Sequence, residues 1–221
     1  KEGHLVNDTI TSYVVWPQTT VPKLQVALAS TKGPAEQLAQ DLDATMDPDS
    51  NVILADRLPS SAIARNLLWK RVKAGATLFL TELSPGLHRV GSEKIEVKPC
   101  GFAPYDFVSR ATGHPLVDGF EPDDFRFWHD VASDTITPLL HATFQAPGWK
   151  PILLSGEAGW GEPDRPALAA AERPLGKGRI VVSLLSLTGR VQTNPAADIF
   201  VRRLLEVKLQ GGIADPALAV V

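Results

Sequence analysis

Four side chains have the chemistry expected of a pocket: Glu82, Arg126, Trp128 and His129. Glu82 follows the apolar run that we predict as the third strand of an α/β sheet, and ligands of such sheets bind beyond the carboxyl ends of the strands. We therefore expect a pocket at that edge. An independent hydrolase acting through Glu82, Arg126 and His129 is one hypothesis, and a solvated or helix-capping Glu82 is the other interpretation.

The turn after this strand lacks a conventional nucleophile. Its hydroxyl, Ser84, precedes Pro85, and proline removes a backbone N–H that an oxyanion hole would need. The chain contains no G-x-S-x-G sequence, and its one cysteine, Cys100, lies in an irregular region without an evident base. The sequence predicts a structural thiol at Cys100.

Three tryptophans, Trp128, Trp149 and Trp160, support a different hypothesis. Indole rings stack on the faces of sugars and anchor interfaces. The hypothesis is that these rings are exposed and that the chain is a carbohydrate-binding module. Partial burial as loop anchors is the alternative.

We predict neither a metal site nor a cofactor. The five histidines include no pair at i, i+4 and no H-E-x-x-H sequence, and a single cysteine excludes a thiolate cluster. Gly176-Lys177-Gly178 lacks the spacing of a P-loop and lies between two strand patterns. We interpret it as a three-residue hairpin turn.

From Lys23 onward, short apolar runs alternate with segments of helical spacing, which predicts a parallel sheet covered on both faces by helices. The predicted strands are 24–29, 52–55, 76–80, 95–97, 125–128, 152–154, 168–175 and 179–187. The predicted helices are 35–46 with Leu38, Leu42 and Met46 on one side, 61–74 with Ile63, Leu67 and the stretch Trp69 to Val72 inward and Gly75 after its end, and 196–209.

The composition is that of an ordinary globular protein. The chain has 221 residues, 44% of them hydrophobic, and a formal charge of -3, so we expect no nucleic-acid or membrane partner. It begins without Met, and its only methionine is Met46. We expect a processed product or a piece of a larger soluble bacterial protein, which a signal on the parent chain would direct to the periplasm or the exterior.

Two passages, Gly113 to Phe120 and Pro122 to Trp128, resemble a class I glutamine amidotransferase-like domain, and Leu175 to Ser183 and Asn194 to Ala197 fit it too. Bacterial glycoside hydrolase family two proteins of the β-galactosidase type carry this domain. The resemblance implies an α/β, flavodoxin-like three-layer domain with a mainly parallel sheet, preceded by a short β-segment. It implies a preceding β-sandwich ending at 1–22, the α/β domain at 23–210 and a tail at 211–221.

Amidotransferases place a cysteine at the turn after the third strand and a histidine with a glutamate after a late strand. Here the corresponding places hold Glu82 and the segment Leu187-Thr188-Gly189-Arg190. The resemblance therefore implies a non-catalytic accessory domain of a glycoside hydrolase. The implied partners are other domains of the parent protein, a second copy of the chain, or a carbohydrate.

Overall fold

The computed structural model of the chain describes residues 12–15, 23–100, 108–126, 128–157, 165–205 and 217–220. The chain divides into two compact units, Lys23–Val207 and a smaller one formed by Lys1–Pro22 with Lys208–Val221. In the smaller unit, β1 (Ser12–Val15) pairs antiparallel with β14 (Ala217–Val220), so a strand lies within the segment predicted as a tail.

The larger unit contains twelve strands and three helices among the described residues. The strands of its first half are β2 (Gln25–Leu28), β3 (Thr45–Met46), β4 (Val52–Ala55), β5 (Thr77–Thr81), β6 (Gly86–Val90) and β7 (Glu93–Pro99). Those of its second half are β8 (Trp128–Asp130), β9 (Thr135–Thr137), β10 (Ala142–Gln145), β11 (Lys150–Glu157), β12 (Arg165–Leu175) and β13 (Gly178–Ser183). The helices are α1 (Pro34–Asp41), α2 (Ala62–Ala74) and α3 (Pro195–Leu204).

Five parallel strands form one half of the main sheet, in the spatial order β3-β2-β4-β5-β13. Counted along the chain this order is 2-1-3-4-5, which is the flavodoxin-like arrangement. The strands are short and apolar, and all five residues of β5 are buried. The predicted α/β three-layer fold is confirmed.

Antiparallel strands extend the sheet beyond β13 in the order β12-β10-β7-β6, and β11 pairs with β12. The sheet thus has ten strands, and β6 is its last strand on this side. Segment 125–128 is not a strand as predicted: a 3-10 helix spans Pro122–Phe125, and β8 begins at Trp128.

Two helix predictions are corrected by the structure. Helix α1 ends at Asp41 rather than at residue 46, because Asp43 adopts a φ of 50° and Met46 lies in β3 with its side chain exposed. Helix α2 ends before Gly75 and buries Val72 as predicted, but its second buried side chain is Leu68, whereas Ile63 and Leu67 are exposed.

The turn between β12 and β13 is also corrected. Leu175 pairs with Gly178, so the loop contains two residues rather than three. A Cβ on Gly178 would lie 2.2 Å from the carbonyl oxygen of Ala76 and 2.3 Å from that of Val72. Glycine is required here because the hairpin packs directly on the backbone at the end of α2.

Aromatic rings join α3 to the irregular middle segment. The ring of Phe200 lies 5.0 Å from that of Phe125 and 6.0 Å from that of Phe120, in edge-on geometry. All three rings are fully buried. This cluster holds the His-Pro and aromatic passages against the terminal helix.

Candidate functional site

Glu82 begins the turn after β5, the kind of strand-to-helix turn on which α/β hydrolases carry an exposed nucleophile. Its backbone adopts a φ of 48°, in the left-handed region that side chains other than glycine rarely occupy. The sharp turn of a nucleophile elbow is therefore present without a nucleophile. Strain of this kind persists only where other contacts hold it.

The carboxylate of Glu82 bonds to the loop that follows β13. Its Oε1 accepts hydrogen bonds from the N–H of Leu187 at 3.1 Å, the N–H of Thr188 at 2.9 Å and the hydroxyl of Thr188 at 2.6 Å. The structure thus brings Glu82 into contact with the segment that begins at Leu187, the two positions compared in the sequence resemblance. Here the contact is a clasp between two loops.

Residues 189–194 of the same loop are fixed by further hydrogen bonds. The N–H of Gly189 donates to Oδ2 of Asp41 at 2.6 Å, and Oδ1 of Asn194 accepts from the N–H of His129 at 3.0 Å. The guanidinium of Arg190 donates to the carbonyl of Pro138 at 2.8 Å and to the hydroxyl of Thr137. Burial lowers the pKa of Arg190, and the nearby carboxylates of Asp130 and Glu82 oppose that shift.

The switch point of the parallel sheet lies between β2 and β4, where flavodoxin-like folds bind ligands. The hydroxyl of Ser30, after β2, accepts a hydrogen bond from the N–H of Asp56, after β4, at 3.0 Å. A Cβ on Gly33 would lie 1.9 Å from Oδ2 of Asp56. The buried carboxylate therefore occupies space at the start of α1, where a ligand would approach.

A cavity of about 430 Å³ does lie at this edge of the sheet. Its lining includes Lys32 just before α1, Glu36 and Gln40 on that helix, together with Glu82 and Thr188. Oε2 of Glu36 accepts a hydrogen bond from the N–H of Lys32 at 2.6 Å. Both carboxylates that line the cavity are thus engaged with backbone donors.

Arg126, Trp128 and His129 do not line this cavity with Glu82. Arg126 is exposed and lies 3.5 Å from Asp123, and Nε2 of His129 lies 3.0 Å from Oδ1 of Asp134. The predicted pocket of four residues is not brought together by any cavity or hydrogen bond among the described residues. A catalytic role for the cluster stays a prediction.

Trp128 and Trp149 are not exposed, whereas a ring that stacks on a sugar must be. Trp128 is buried, and its indole N–H donates to the carbonyl of Asp124 at 2.7 Å. Trp149 is also buried, and Trp160 lies outside the described residues. Stacking by Trp128 or Trp149 would need the rings to become exposed, so sugar binding stays a prediction.

Sequence reasoning missed a network in which the buried His114 contacts the partly buried Glu172, which in turn contacts Arg179. Nδ1 of His114 accepts from the N–H of Leu116 at 3.2 Å, so Nε2 carries the proton that it donates to Oε1 of Glu172 at 3.0 Å. The guanidinium of Arg179 donates to Oε2 of Glu172 and to the carbonyl of Leu204. The network joins the middle segment, β12, β13 and α3.

The pKa of Glu172 reflects these contacts. Partial burial raises it, but the hydrogen bonds from Arg179 and His114 outweigh burial, and the net shift is downward. Glu172 is therefore an ionised structural group at neutral pH. By contrast, burial raises the pKa of the Cys100 thiol, which disfavours the nucleophilic thiolate.

The described part of the chain lacks both a cluster of metal ligands and a membrane-spanning helix. No group of three or more His, Cys, Asp or Glu side chains there could hold a metal ion. No helix there combines the length and the apolar character that crossing a bilayer requires.

No model of a known protein family and no curated protein sequence matches the chain. Solved structures with a similar arrangement include Gan42B, a GH42 β-galactosidase from G. stearothermophilus, at 15% identity and a TM-score of 0.44, over 84% of this chain and 30% of that one. A cold-adapted β-galactosidase from Rahnella sp. R3 has 13% identity and a TM-score of 0.47, over 87% of this chain and 32% of that one. A cytoplasmic protein from Salmonella typhimurium has 13% identity and a TM-score of 0.46, over 86% and 100%. The chain thus spans 30% and 32% of the two β-galactosidases.

Proposed function

We propose that this chain is a non-catalytic interaction domain of a glycoside hydrolase of the β-galactosidase type, with an amidotransferase-like fold that has lost its reactive groups. The observation that carries the proposal is the clasp between Glu82 and Thr188. At the elbow, a carboxylate with its Oε1 bonded to three donors stands in place of a nucleophile.

The loop after β13 supports the same conclusion. It supplies Thr188 and Arg190, and it contains no histidine that could activate a nucleophile. Each of these side chains already has a structural hydrogen bond, to Glu82 and to Pro138 respectively. These side chains therefore hold the backbone of the loop in place, and neither of them serves as a general base.

The glycoside hydrolase setting rests on the sequence resemblance of the passages around His114 and Phe125. In the structure, His114 is hydrogen-bonded to Glu172 and Phe125 packs on Phe200. The passages that carry the resemblance therefore stabilise the domain. This role suits an accessory module, whose catalytic carboxylates would lie in another domain.

The proposal is tested on the product of the complete gene and on the present chain. The complete product is expected to hydrolyse a β-galactoside, and Glu82→Ala is expected to change kcat by less than about twofold if the variant stays folded. The isolated chain is expected to show no glutaminase, esterase or glycosidase activity. The proposal would be overturned if the isolated chain had one of these activities and Glu82→Ala abolished it. Glu82→Gln, which remains folded, should then also be inactive, because this excludes unfolding as the cause.

A further inference from the structure

Helix α2 covers the sheet with an unusually narrow apolar stripe. Of its thirteen residues only Leu68 and Val72 are buried, whereas Ile63 is 83% exposed and Leu67 is 60% exposed. Ile63, Leu67 and Lys70 are spaced i, i+4, i+7 and so share one side of the helix. The helix therefore presents aliphatic side chains to its surroundings.

Strand β6 presents a second incomplete surface beside this helix. It pairs with β7 on one side and with no other strand among the described residues, so alternate backbone N–H and C=O groups point outward along its free edge. Its Leu87 is 66% exposed. An exposed aliphatic residue on a free edge strand is a template for pairing with another chain.

A groove runs between α2 and β6, and we call it the α2–β6 groove; Ile63 and Leu67 are not part of its lining. It consists of two cavities, of about 420 and 460 Å³, that share Trp69 and Gly91 in their linings. Helix α2 contributes Arg65 and Trp69 to it, and β6 contributes Leu87 and Arg89. Strand β6 has five residues and is about 17 Å long, enough for a short added strand.

The charge of the α2–β6 groove is of one sign. Its lining includes the cations Arg57, Arg65, Lys70, Lys73 and Arg89, and neither cavity is lined by an Asp or a Glu. Arg57 is paired with Asp56, but the other four have no carboxylate within ion-pair distance among the described residues. Arg89 also lies opposite Lys94 in the β6–β7 register. Like charges placed together favour an anionic partner.

We propose that the α2–β6 groove binds an extended polypeptide segment, added as a strand to the free edge of β6, that carries both Asp or Glu and aliphatic residues on the one face turned toward the groove. This arrangement follows from strand geometry, because Leu87 and Arg89 are two residues apart on β6 and lie on one face, so the side chains of an added strand that meet them are also two residues apart. An aliphatic side chain on that face would cover Leu87. Carboxylates would neutralise Lys70 and Arg89. The inference extends the proposed function by naming the surface and the chemistry of its partner.

The test uses the purified chain and labelled peptides about six residues long, which matches an ordinary strand. The Glu/Val peptide, Glu-Ser-Val-Ser-Glu-Ser, has its Glu and Val side chains on one face and is expected to bind at least about tenfold more tightly than two matched peptides. These are the Glu/Ser peptide, in which Ser replaces Val, and the Lys/Val peptide, in which Lys replaces each Glu. The double variant Lys70→Glu/Arg89→Glu is expected to weaken binding about tenfold or more. Lys150→Glu, an exposed charge reversal on β11, is expected to change it less than about twofold. Circular dichroism and thermal unfolding check that each variant is folded.

Hydrogen exchange distinguishes strand addition from simple attraction of charges. The bound peptide is expected to slow exchange of the outward amides of β6 at least about tenfold. Equal binding of the Glu/Ser peptide, or no protection of β6, would overturn the proposal. So would self-association of the chain that the double variant abolishes, or binding of oligogalacturonate as tight as that of the Glu/Val peptide. These outcomes are independent of hydrolase activity in the complete gene product, so failure here is distinguishable from failure of the proposed function.

Discussion

Thr188 binds the carboxylate of Glu82 twice, through its backbone N–H at 2.9 Å and through its hydroxyl at 2.6 Å. The two residues are 106 positions apart in the chain. Their contact locks the turn after β5 to the loop after β13, and it does so from a backbone conformation that is itself strained. The residue at position 82 must therefore accept these hydrogen bonds while its backbone stays in the left-handed region.

Replacing Glu82 by alanine is expected to lower the free energy of unfolding by about 2 to 3 kcal/mol, because the N–H groups of Leu187 and Thr188 lose their acceptor. Chemical denaturation measures the change. Hydrogen exchange at these two amides should accelerate in the variant.

Glu82→Gln is the matched control, because its amide oxygen can still accept the three hydrogen bonds. We expect it to cost about 1 kcal/mol or less. Equal losses for the alanine and glutamine variants would show that charge, rather than the acceptor, stabilises the clasp.

The network around Glu172 predicts a dependence of stability on pH. Its pKa is lower in the folded chain than in the unfolded one, so its ionised form stabilises the fold above about pH 4.3, and this contribution is lost as the pH falls through the lower folded value. Glu172→Gln should therefore reduce the free energy of unfolding at pH 7 by about 1 to 3 kcal/mol. The difference from the wild type should shrink below about pH 4.3.

Glu96→Gln serves as its control, since Glu96 is an exposed carboxylate 3.7 Å from Lys98. Exposed ion pairs contribute about 0 to 1 kcal/mol, so little change is expected. Urea unfolding between pH 3 and 8 compares the three proteins. A constant difference between wild type and Glu172→Gln across this range would contradict the assignment.

The close approach at Gly178 predicts a steric effect. Alanine there would place a Cβ 2.2 Å from the carbonyl oxygen of Ala76 and 2.3 Å from that of Val72, and the latter cannot move independently of α2. We expect Gly178→Ala to destabilise the chain by about 2 to 3 kcal/mol, in the range of other overpacked sites. Lys177→Ala, at the exposed neighbouring position, should change stability by less than about 0.5 kcal/mol. Thermal unfolding of the pair gives the comparison, and similar midpoints would refute the steric account.

Arg190 binds two acceptors in different directions, the Pro138 carbonyl and the Thr137 hydroxyl. A lysine has one ammonium group and cannot reproduce this fork, so Arg190→Lys should lower stability by about 1 to 2 kcal/mol. Arg126→Lys, at an exposed position, should change it by less than about 0.5 kcal/mol. Denaturation midpoints that rank the two variants in the reverse order would contradict the structural role of Arg190.

The sequence predicted the parallel half of the fold because its evidence is local. Val52–Ala55 forms the strand expected from a short apolar run, and Gly75 ends α2 as its conformational freedom indicates. The inward face of α2 was not predictable in this way. Ile63 and Leu67 have the same i, i+4 spacing as Leu68 and Val72, so helical periodicity alone cannot choose between the pairs.

What the amino-acid sequence determined by itself was the order of strands and helices and the lack of a standard nucleophile, since both depend on residue types at short spacing. Tertiary structure decided that Glu82 meets Thr188, that Trp128 is buried, and that β6 forms a free edge beside α2. Each of these depends on contacts between segments far apart in the chain. Such contacts are fixed by packing of the whole sheet, which no local pattern encodes.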